Sequence, residues 1–308
     1  MIVVDDIRAS KRAFPHVVLT IGSFDGVHRG HRRILDDVIR AAREAKGTAA
    51  LLTLSPHPRE FFSPENAPNL LTCHEKKLQL LEEAGLDVVF ILPFNHDVAG
   101  LEPLKFIETV IHDRCRAREI LVGHDFCFGK DAKGNFDLLR QAAPHYGYEA
   151  RQIPPLLVDG ERVSSTSIRE RILQGDLERA ERLLGRKYSI RGEVIRGRGI
   201  GVKLGYPTAN IKPLHSAMPA QGVYVAEVLV DGDRHAAAVN IGIAPTVRQE
   251  DLLIEAFLLD FQGDLVGRNI ELVFHKRLRP EKKFPNYDAL IAQITEDVSA
   301  VRAYFEAI

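Results

Sequence analysis

The sequence has little cysteine, no excess of charge of one sign, and no long apolar run. Its three cysteines, Cys73, Cys115 and Cys127, are odd in number and far apart, which argues against a disulfide framework or a paired-cysteine metal site. We therefore expect a reducing, cytoplasmic environment. No apolar run approaches membrane-spanning length, and the N-terminus lacks the apolar segment of a signal peptide, so we expect a soluble, unprocessed chain that has no membrane partner.

Basic and acidic residues balance almost completely, with 41 Lys and Arg against 42 Asp and Glu and a formal net charge of −1. A balanced charge gives no reason to expect nucleic acid or an anionic membrane surface as a partner. Any polyanion would have to be bound locally. At 308 residues, 45% of them hydrophobic, the chain is long enough for two ordinary domains.

Short apolar runs alternate with segments of helical spacing up to about residue 186. The run HVVLTIGSF precedes HRRILDDVIRAAREAKG, in which Ile34, Leu35, Val38 and Ile39 fall on one face and Gly47 stands where a helix would stop. This alternation predicts βαβ units and a parallel sheet covered on both faces. We therefore expect an α/β, Rossmann-like three-layer domain over residues 1–186.

From residue 187 onward the runs are short and punctuated, as in antiparallel sheets. Asp231-Gly232 between two apolar runs is a strong hairpin signal. Only the end returns to helical spacing, with Leu290, Ile294 and Val301 on one face. The pattern predicts a small antiparallel β-barrel with a C-terminal helix over residues 187–308.

The stretch GSFDGVHRGH joins a predicted strand to a predicted helix. Gly22, Gly26 and Gly30 let backbone amides approach a ligand, and the helix N-terminus adds N–H groups and a positive dipole end, so the stretch is typical of an anion site. His28 and His31 lie on one side of the first turn and can donate to phosphate oxygens. The bland alternative is a turn with two exposed histidines. A zinc site is disfavoured, because no glutamate follows the first histidine.

GSFDGVHRGH resembles the (H/T)xGH signature of the nucleotidyltransferase superfamily. Its FDGVHRGH form is similar to that of the prokaryotic bifunctional riboflavin kinase/FMN adenylyltransferase (FAD synthetase) family. SSTSIRE is similar to the family's ISSTxxR segment, whose hydroxyls and arginine touch the ATP phosphates. The residues alone also fit a capping box of Ser167 and Glu170 that would start a helix. The two interpretations are compatible, because a capped helix N-terminus is itself an anion site.

The resemblance implies a first site that takes ATP and FMN, with His28 and His31 as catalytic residues. The residues implied at the ATP phosphates are Gly22, Phe24, Gly30, Ser164, Ser165, Thr166 and Arg169. PHPREFF and VGHDFCFGK resemble the loops that line the family's flavin pocket, which implies flavin contacts for His57, Phe62, Asp125, Phe126 and Phe128. Phe62 and Phe128 could stack on an isoalloxazine ring, although taken alone they would belong to a core.

GRGIGVKLGYPTANI resembles the GxxxGxxLGxPTAN motif of riboflavin kinases, whose glycine-rich loop covers phosphates. The resemblance implies ATP contacts for Gly197, Gly201, Lys203, Thr208 and Asn210, and a flavin contact for Tyr206. Thr208 and Asn210 would also be ligands of Mg²⁺, as oxygen donors suited to a hard cation. Glu255 in LLIEAFLLDF matches the catalytic glutamate, which accepts the proton of the ribityl hydroxyl. The alternative for a lone glutamate is the polar side of a strand. NIGIAPTV (240–247) also resembles the family.

The implied function is ATP-dependent conversion of riboflavin to FMN and then to FAD, by a monomer or weak homo-oligomer whose partners are riboflavin, FMN, FAD and ATP. Val202, Phe257 and Val266 depart from the family pattern in the kinase half. They leave open a flavin-binding regulator or carrier with a degenerate kinase half. A nucleotidyltransferase with another acceptor is a second alternative, which would have no use for a PTAN barrel. Convergence of Glu255, Thr208 and Asn210 on one pocket would favour the enzyme.

Overall fold

A computed structural model of the chain describes residues 1–197, 199–215, 217–243 and 252–307, and of residues 66, 200, 203, 243 and 252 it describes the backbone alone. The chain divides into two compact units. The first comprises Met1–Pro68 and His74–Ser164, and the second comprises Asn69–Cys73 and Ser165–Ile308.

The first unit is built on a six-stranded sheet of order β1-β4-β3-β2-β5-β6, in which every neighbouring pair is parallel. The strands, including the separate hairpin β7–β8, are β1 (Ile2–Val4), β2 (Val17–Ile21), β3 (Thr48–Ser55), β4 (Val88–Pro93), β5 (Ala117–Gly123), β6 (Glu149–Ile153), β7 (Leu157–Val158) and β8 (Glu161–Arg162). The helices are α1 (Arg29–Glu44), α2 (Pro58–Phe62), α3 (His74–Glu83), α4 (His96–Ala99), α5 (Pro103–Phe106) and α6 (Phe136–Tyr146). Ile107–Cys115 continues α5 as a π-helix, and Pro64–Asn66 and Lys130–Ala132 are 3₁₀ turns.

Helices cover this sheet on both faces because its central strands are apolar on both sides. In β2, Val18 belongs to one hydrophobic cluster and Leu19 to the other. Leu35 and Val38 of α1 pack into the Val18 cluster, whereas Ile107 of the π-helix packs into the Leu19 cluster. Alternate side chains of a strand point to opposite faces, so both clusters use the same strands. The predicted parallel, three-layer α/β domain is confirmed.

The strand order places the predicted loops at one edge of the sheet. From β2 the chain proceeds to β3 and β4 on one side and later to β5 and β6 on the other, which makes β2 and β5 the topological switch point where open α/β sheets bind ligands. The segments after β2, β3 and β5 contain GSFDGVH, PHP and HDFCF respectively. Because the three strands are parallel neighbours, these segments share one edge.

The second unit is a closed barrel of order β10-β13-β12-β11-β14-β9, in which each described pairing is antiparallel. Its strands are β9 (Ser189–Ile195), β10 (Ala209–Pro213), β11 (Gly222–Val230), β12 (Asp233–Ile243), β13 (Leu252–Leu258) and β14 (Asn269–Arg279). Its helices are α7 (Ser165–Gln174), α8 (Leu177–Leu184), α9 (Ile200–Lys203) and α10 (Tyr287–Glu306). The predicted barrel and C-terminal helix are confirmed.

The predicted hairpin turn joins β11 to β12. Asp231 and Gly232 both have positive φ, 52° and 98°, as a two-residue type I′ turn requires. At the C-terminus, Asn286 caps α10 by accepting a hydrogen bond from the Ala289 N–H. Val301 of that helix is fully buried and packs in a cluster with Val225 and Leu259, so the apolar face of α10 covers the barrel wall.

Packing groups α7 and α8 with the barrel unit. α7 begins at Ser165, so Ser167 lies inside its first turn and the predicted capping box of Ser167 and Glu170 is wrong. The box was inferred from local spacing, which cannot say that the helix begins three residues earlier, at Ser165. The boundary near residues 186–187 between two functional domains remains a prediction.

Candidate active sites

The loop between β2 and α1 has an unusual backbone. Phe24, Gly26 and Val27 all have positive φ, 49°, 83° and 39°. This region is open to glycine but is strained for a β-branched residue such as Val27, and such strain clusters at functional sites. A hydrogen bond from the Val27 N–H to the Phe24 carbonyl (3.1 Å) closes the turn. The loop is thereby held in one conformation immediately before the helix.

His28 and His31 are organised by the first turn of α1. His28 is the N-cap residue, and its Nδ1 accepts a hydrogen bond from the His31 N–H at 3.2 Å. The two imidazoles stack with ring centroids 3.6 Å apart, and Phe24 stacks on the other face of His31 at 4.5 Å. Since Nδ1 of His28 is an acceptor, Nε2 carries the proton of the neutral ring. His28 is only 4% exposed, so a turn with two solvent-exposed histidines is excluded.

The close packing around position 30 explains why a glycine stands between the two histidines. A Cβ at this position would lie 3.2 Å from the Nδ1 of His28 and 3.5 Å from the carbonyl oxygen of Val163. Glycine therefore lets the His28 ring lie flat on the helix and lets the segment that leads into Ser164 approach the same turn. The first serine of SSTSIRE thus follows a residue that lies next to the GSFDGVHRGH loop.

The segment after β3 presents an exposed aromatic side chain. His57 caps α2 by accepting a hydrogen bond from the Arg59 N–H at 3.2 Å. Burial lowers the pKa of His57, and the nearby Asp25 carboxylate acts in the opposite direction. Phe62 at the end of α2 is 62% exposed and makes edge contacts with Phe61 and Phe94 at 5.4 and 5.7 Å. Such a ring, fixed by its neighbours and open on one side, can stack on a planar ligand.

The segment after β5 is less open than the sequence implied. Phe128 is buried and packs against Phe106 and Phe126, with centroids 5.7 and 5.3 Å apart. Asp125 is exposed and forms an ion pair with Arg162 at 2.7 Å. The flavin contacts expected of Asp125, Phe126 and Phe128 remain predictions, and Phe128 is a core residue in this structure.

Lys77 is a charged residue beside the loop that the sequence reasoning missed. It lies on α3, and its Nζ donates to the carbonyl oxygen of Ser23 at 3.4 Å. Burial lowers the pKa of Lys77, and the Asp25 carboxylate opposes this effect. In the sequence, Lys77 belongs to the polar stretch HEKK at the start of a helix, a pattern typical of a solvated surface. The contact with Ser23 joins distant parts of the chain, so the residues around Lys77 in the sequence give no indication of it.

The remaining residues of SSTSIRE belong to the second unit. Ser165 and Thr166 form the first turn of α7, and Arg169 of the same helix donates from Nε to the carbonyl oxygen of Asn69 at 2.6 Å. Asn69 is also part of this unit. The arginine is therefore held in place by a backbone carbonyl. Its expected contact with ATP phosphates remains a prediction.

On the barrel, the residues implied for phosphoryl transfer converge. One cavity of about 130 Å³ is lined by Thr208, Asn210 and Glu255 together with the glycine-rich loop. That loop contributes Gly197, Gly199, Gly201 and Val202. A Cβ at Gly197 would lie 2.0 Å from the Nδ2 of Asn210, so only glycine lets the loop lie this close to the strand. The enzyme hypothesis predicted this convergence, and the structure confirms it.

Strand register explains why Glu255 faces this cavity. Asn210 on β10 lies directly opposite Glu255 on β13, and Glu255 lies directly opposite Asn240 on β12. Residues that are directly opposite in an antiparallel pair share a face of the sheet. Ile254 and Ala256, which flank Glu255, are fully buried inside the barrel. The row Asn210–Glu255–Asn240 therefore projects from the outer face of the barrel wall.

Glu255 also lines a larger cavity of about 330 Å³. Its volume lies in the range usual for small-molecule sites. Its walls include Tyr206, Phe257, Phe284, Leu290 and Ile294. Tyr206 makes an edge contact with Phe257 at 5.3 Å, and its hydroxyl lies 2.7 Å from the Thr295 hydroxyl on α10. A cavity that combines aromatic and apolar walls with charged side chains such as Glu255 and Arg279 suits a flat ring system that carries a hydroxyl chain. Phe257 departs from the family pattern but belongs to this wall.

A third cavity of about 180 Å³ shares Thr208 with the other two. It is lined on one side by Phe261 and Val266, and Val266 is 48% exposed. The three cavities thus meet at Thr208. Lys203, whose side chain is outside the described atoms, and the segment 244–247 of NIGIAPTV, outside the described residues, cannot be placed in any of them.

Comparisons with known proteins find matches to both parts of the chain. Family models of FAD synthetase and riboflavin kinase match residues 10–167 and 184–305. The bifunctional riboflavin kinase/FMN adenylyltransferases of Pseudomonas fluorescens and Escherichia coli K12 are 39% and 38% identical to the chain. The alignments cover 93% and 94% of this chain and 92% of each relative.

A crystal structure described as a macrolide-efflux protein from Streptococcus pneumoniae is similar over 98% of both chains, with a TM-score of 0.86 and 28% identity. Within the described ranges, no helix combines the length and apolar character needed to cross a membrane. Both family models match, and relatives above 30% identity align along nearly the whole length. The chain belongs to the family of bifunctional riboflavin kinase/FMN adenylyltransferases, which convert riboflavin to FMN and FMN to FAD.

Proposed function

We propose that the two reactions occur at the two sites described above, riboflavin phosphorylation on the barrel and FMN adenylylation at the loop between β2 and α1. The observation that carries the proposal is the convergence of Glu255, Thr208 and Asn210 on one cavity. A flavin regulator with a degenerate kinase half would have no need to keep these three groups together. Residues 1–186 and 187–308 would form the corresponding functional domains.

In the kinase reaction, the isoalloxazine ring of riboflavin occupies the larger cavity, beside Tyr206 and Phe257. The ribityl chain then brings its terminal hydroxyl to Glu255, which lines both this cavity and the phosphate cavity. Glu255 accepts the hydroxyl proton as the oxygen forms a bond to the γ-phosphorus of ATP. The bond between that phosphorus and the β,γ-bridging oxygen breaks, and FMN and ADP are the products.

The donor atoms at the phosphate cavity fit a magnesium ion bound together with ATP. The Thr208 hydroxyl and the Asn210 amide oxygen are hard oxygen ligands, and they face the same cavity as Glu255. When bound, the ion would offset negative charge on the phosphates. The glycine-rich loop, with Gly197, Gly201 and the expected charge of Lys203, would cover the phosphate chain. The third cavity, next to Thr208, has room for other parts of the nucleotide.

In the adenylyl transfer, an oxygen of the FMN phosphate attacks the α-phosphorus of a second ATP and pyrophosphate leaves, so no protein nucleophile is needed. His28 and His31 donate to phosphate oxygens as charge develops, beside the N–H groups at the start of α1. By resemblance, Ser164, Ser165, Thr166 and Arg169 contact the ATP phosphates. Loss of one such donor typically costs about 10²–10³ in rate.

Flavin contacts in the first unit are assigned to the edge of the sheet that carries His57 and Phe62. The exposed ring of Phe62 is the best stacking surface there, and Asp125 and Phe126 border the neighbouring segment. We propose a monomer or weak homo-oligomer. The cytoplasmic location inferred from cysteine content also stays a prediction.

The test is incubation of the purified protein with riboflavin, ATP and Mg²⁺, followed by separation of the flavins over time. We expect FMN to appear first and FAD to follow, and we expect FMN supplied alone to give FAD. Binding of riboflavin without any FMN formation would support the regulator instead. Formation of FMN without FAD would point to an acceptor other than FMN at the first site.

A further inference from the structure

Asn240 stands next to the proposed general base on the side away from the phosphate cavity. It lies directly opposite Glu255 in the β12–β13 ladder, where opposite residues have Cβ atoms about 4.5–5.5 Å apart. Asn240 and Glu255 also line the same cavity, the one assigned to the flavin. Its neighbours Val239 and Ile241 are fully buried, so the amide is confined to the outer face that carries the carboxylate.

A second feature fixes the surroundings of this amide. Gly242 follows two residues later on the same face, and a Cβ there would lie 2.4 Å from Oε1 of Glu281 and 3.4 Å from Nδ2 of Asn240. The missing side chain of Gly242 therefore gives room for the Glu281 carboxylate to approach. Asn240 lies between two carboxylates, Glu255 across the ladder and Glu281 along the strand.

A general base works best when its carboxylate is ionised and aimed at the proton that it removes. Hydrogen bonds from neutral donors achieve both, because they favour the charged form and fix its orientation. We propose that Asn240 is a positioning residue of the kinase site, whose amide donates to one carboxylate oxygen of Glu255 when riboflavin is bound and directs the other oxygen toward the riboflavin hydroxyl. This inference rests on the proposed function of the barrel. Asn210 flanks the same carboxylate on the phosphate side.

Other charged groups face the same cavity, and they stay in place when Asn240 is changed. Arg279 and Asp297 are paired with each other at 2.7 Å. Glu281 and Lys282 also line the cavity. A fall in kcat in Asn240→Leu, which adds no charge, therefore reports the loss of the amide and not a different set of charges.

The test compares Asn240→Asp and Asn240→Leu with the wild type in riboflavin phosphorylation, with kcat and KM determined separately. Both variants keep the approximate size of the side chain, but both lose the amide donor, and the aspartate adds a like charge. We expect kcat to fall by about 10- to 100-fold, as for other groups that orient a catalytic residue. KM for riboflavin should change less than kcat in both variants, and kcat should fall further in Asn240→Asp.

The chain offers a matched control. Asn269 on β14 lies directly opposite Glu193 on β9, but both are exposed and neither lines any of the three cavities. Asn269→Asp makes the same chemical change opposite a glutamate in the same barrel. It should leave kcat and KM as in the wild type. Riboflavin binding, followed by the flavin's own fluorescence, reports whether each variant retains a folded barrel.

The possible failures can be told apart. If the wild type does not phosphorylate riboflavin, the proposed function itself fails. If Glu255→Gln keeps full activity, the assignment of the base fails. If Glu255→Gln is inactive but the Asn240 variants keep the wild-type kcat, or change only the KM for riboflavin, the positioning role is overturned. Loss of riboflavin binding in both Asn240 variants would also overturn it, because Asn240 would then be a flavin contact or a folding residue.

Discussion

Acidification should weaken the barrel through one buried histidine. His215 lies between β10 and β11 and is 8% exposed. The Tyr188 hydroxyl donates its proton to the carbonyl oxygen of Ala217, so the 3.1 Å contact between that hydroxyl and Nε2 of His215 requires Nε2 to donate. Nδ1 is then an acceptor, buried and without a hydrogen-bond partner among the residues that the structure describes.

The cost of protonating this ring follows from its surroundings. A second proton would have to be placed on buried Nδ1 and would bring a charge into the interior. This burial lowers the pKa of His215 to about 4, with the Glu271 carboxylate acting in the opposite direction. The unfolded chain, with an ordinary pKa of 6.5, binds the proton more readily, so the free energy of unfolding falls as the pH decreases from about 6.5 toward 4.

The magnitude can be worked from these two values. A pKa of about 4 in the folded protein, against 6.5 in the unfolded chain, corresponds to about 3 kcal/mol once the ring is protonated in both states. Between pH 7 and pH 5 the loss is about 2 kcal/mol, because at pH 5 the unfolded chain is already protonated and the folded one is not. Above pH 6.5 the His215 ring is largely neutral in both states, so its protonation does not lower the free energy of unfolding there.

The assay compares the wild type with His215→Gln, whose Nε2 can still donate to Tyr188 but cannot titrate. Urea unfolding at pH 7 and pH 5, followed at each urea concentration by NMR signals of barrel residues, reports the stability of the barrel. We expect the variant to lose about 2 kcal/mol less than the wild type over this interval. A direct NMR titration of the ring should give a midpoint near 4. Parallel pH dependence in the two proteins, or a midpoint near 6.5, would refute the reasoning.

Three further variants test the two sites. The Cβ that Gly30→Ala introduces would lie 3.2 Å from the His28 ring and should displace it. We expect FMN adenylylation to slow by about 10²-fold, while FMN formation from riboflavin is unchanged. Adenylylation at the wild-type rate in this variant would contradict the packing argument. Lys77→Met removes the amino group that donates to the Ser23 carbonyl oxygen and should lower the rate of FMN adenylylation by at least about tenfold. If the variant loses stability but keeps the wild-type rate of adenylylation, Lys77 has only a structural role. Asp297→Asn leaves the Arg279 charge uncompensated in a pair whose side chains, Asp297 and Arg279, are 9% and 13% exposed. We expect the free energy of unfolding in urea to fall by about 3–5 kcal/mol. A fall of less than about 1 kcal/mol would show that the pair is well solvated.

Hydrophobic spacing was sufficient to predict the two architectures. The apolar face of α1 and the Asp231-Gly232 turn depend on near neighbours in the sequence, and both are present in the structure. β6 (Glu149–Ile153) was not predicted, because an edge strand with little buried surface has no apolar pattern. It forms by pairing with β5. The π-helical hydrogen bonds of Ile107–Cys115 cannot be read from residue types.

The motifs predicted residues for each site but not their arrangement. That Asn210, Glu255 and Asn240 form one row depends on the register of three strands, which is set by the packing of the whole barrel. The role of Lys77 likewise depends on a contact between distant parts of the chain, because Lys77 and Ser23 are 54 positions apart. His28 was expected at a helix start, but the stack with His31 needed the rotamers that Gly30 permits.

The division of labour between the two sites is tested most directly by measuring both reactions in two variants. The account predicts that His31→Ala converts riboflavin to FMN at the wild-type rate and stops there. It predicts that Glu255→Ala forms no FMN from riboflavin yet converts supplied FMN to FAD at the wild-type rate. Equal loss of both reactions in either variant, with both proteins folded, would contradict the assignment of the two reactions to separate sites.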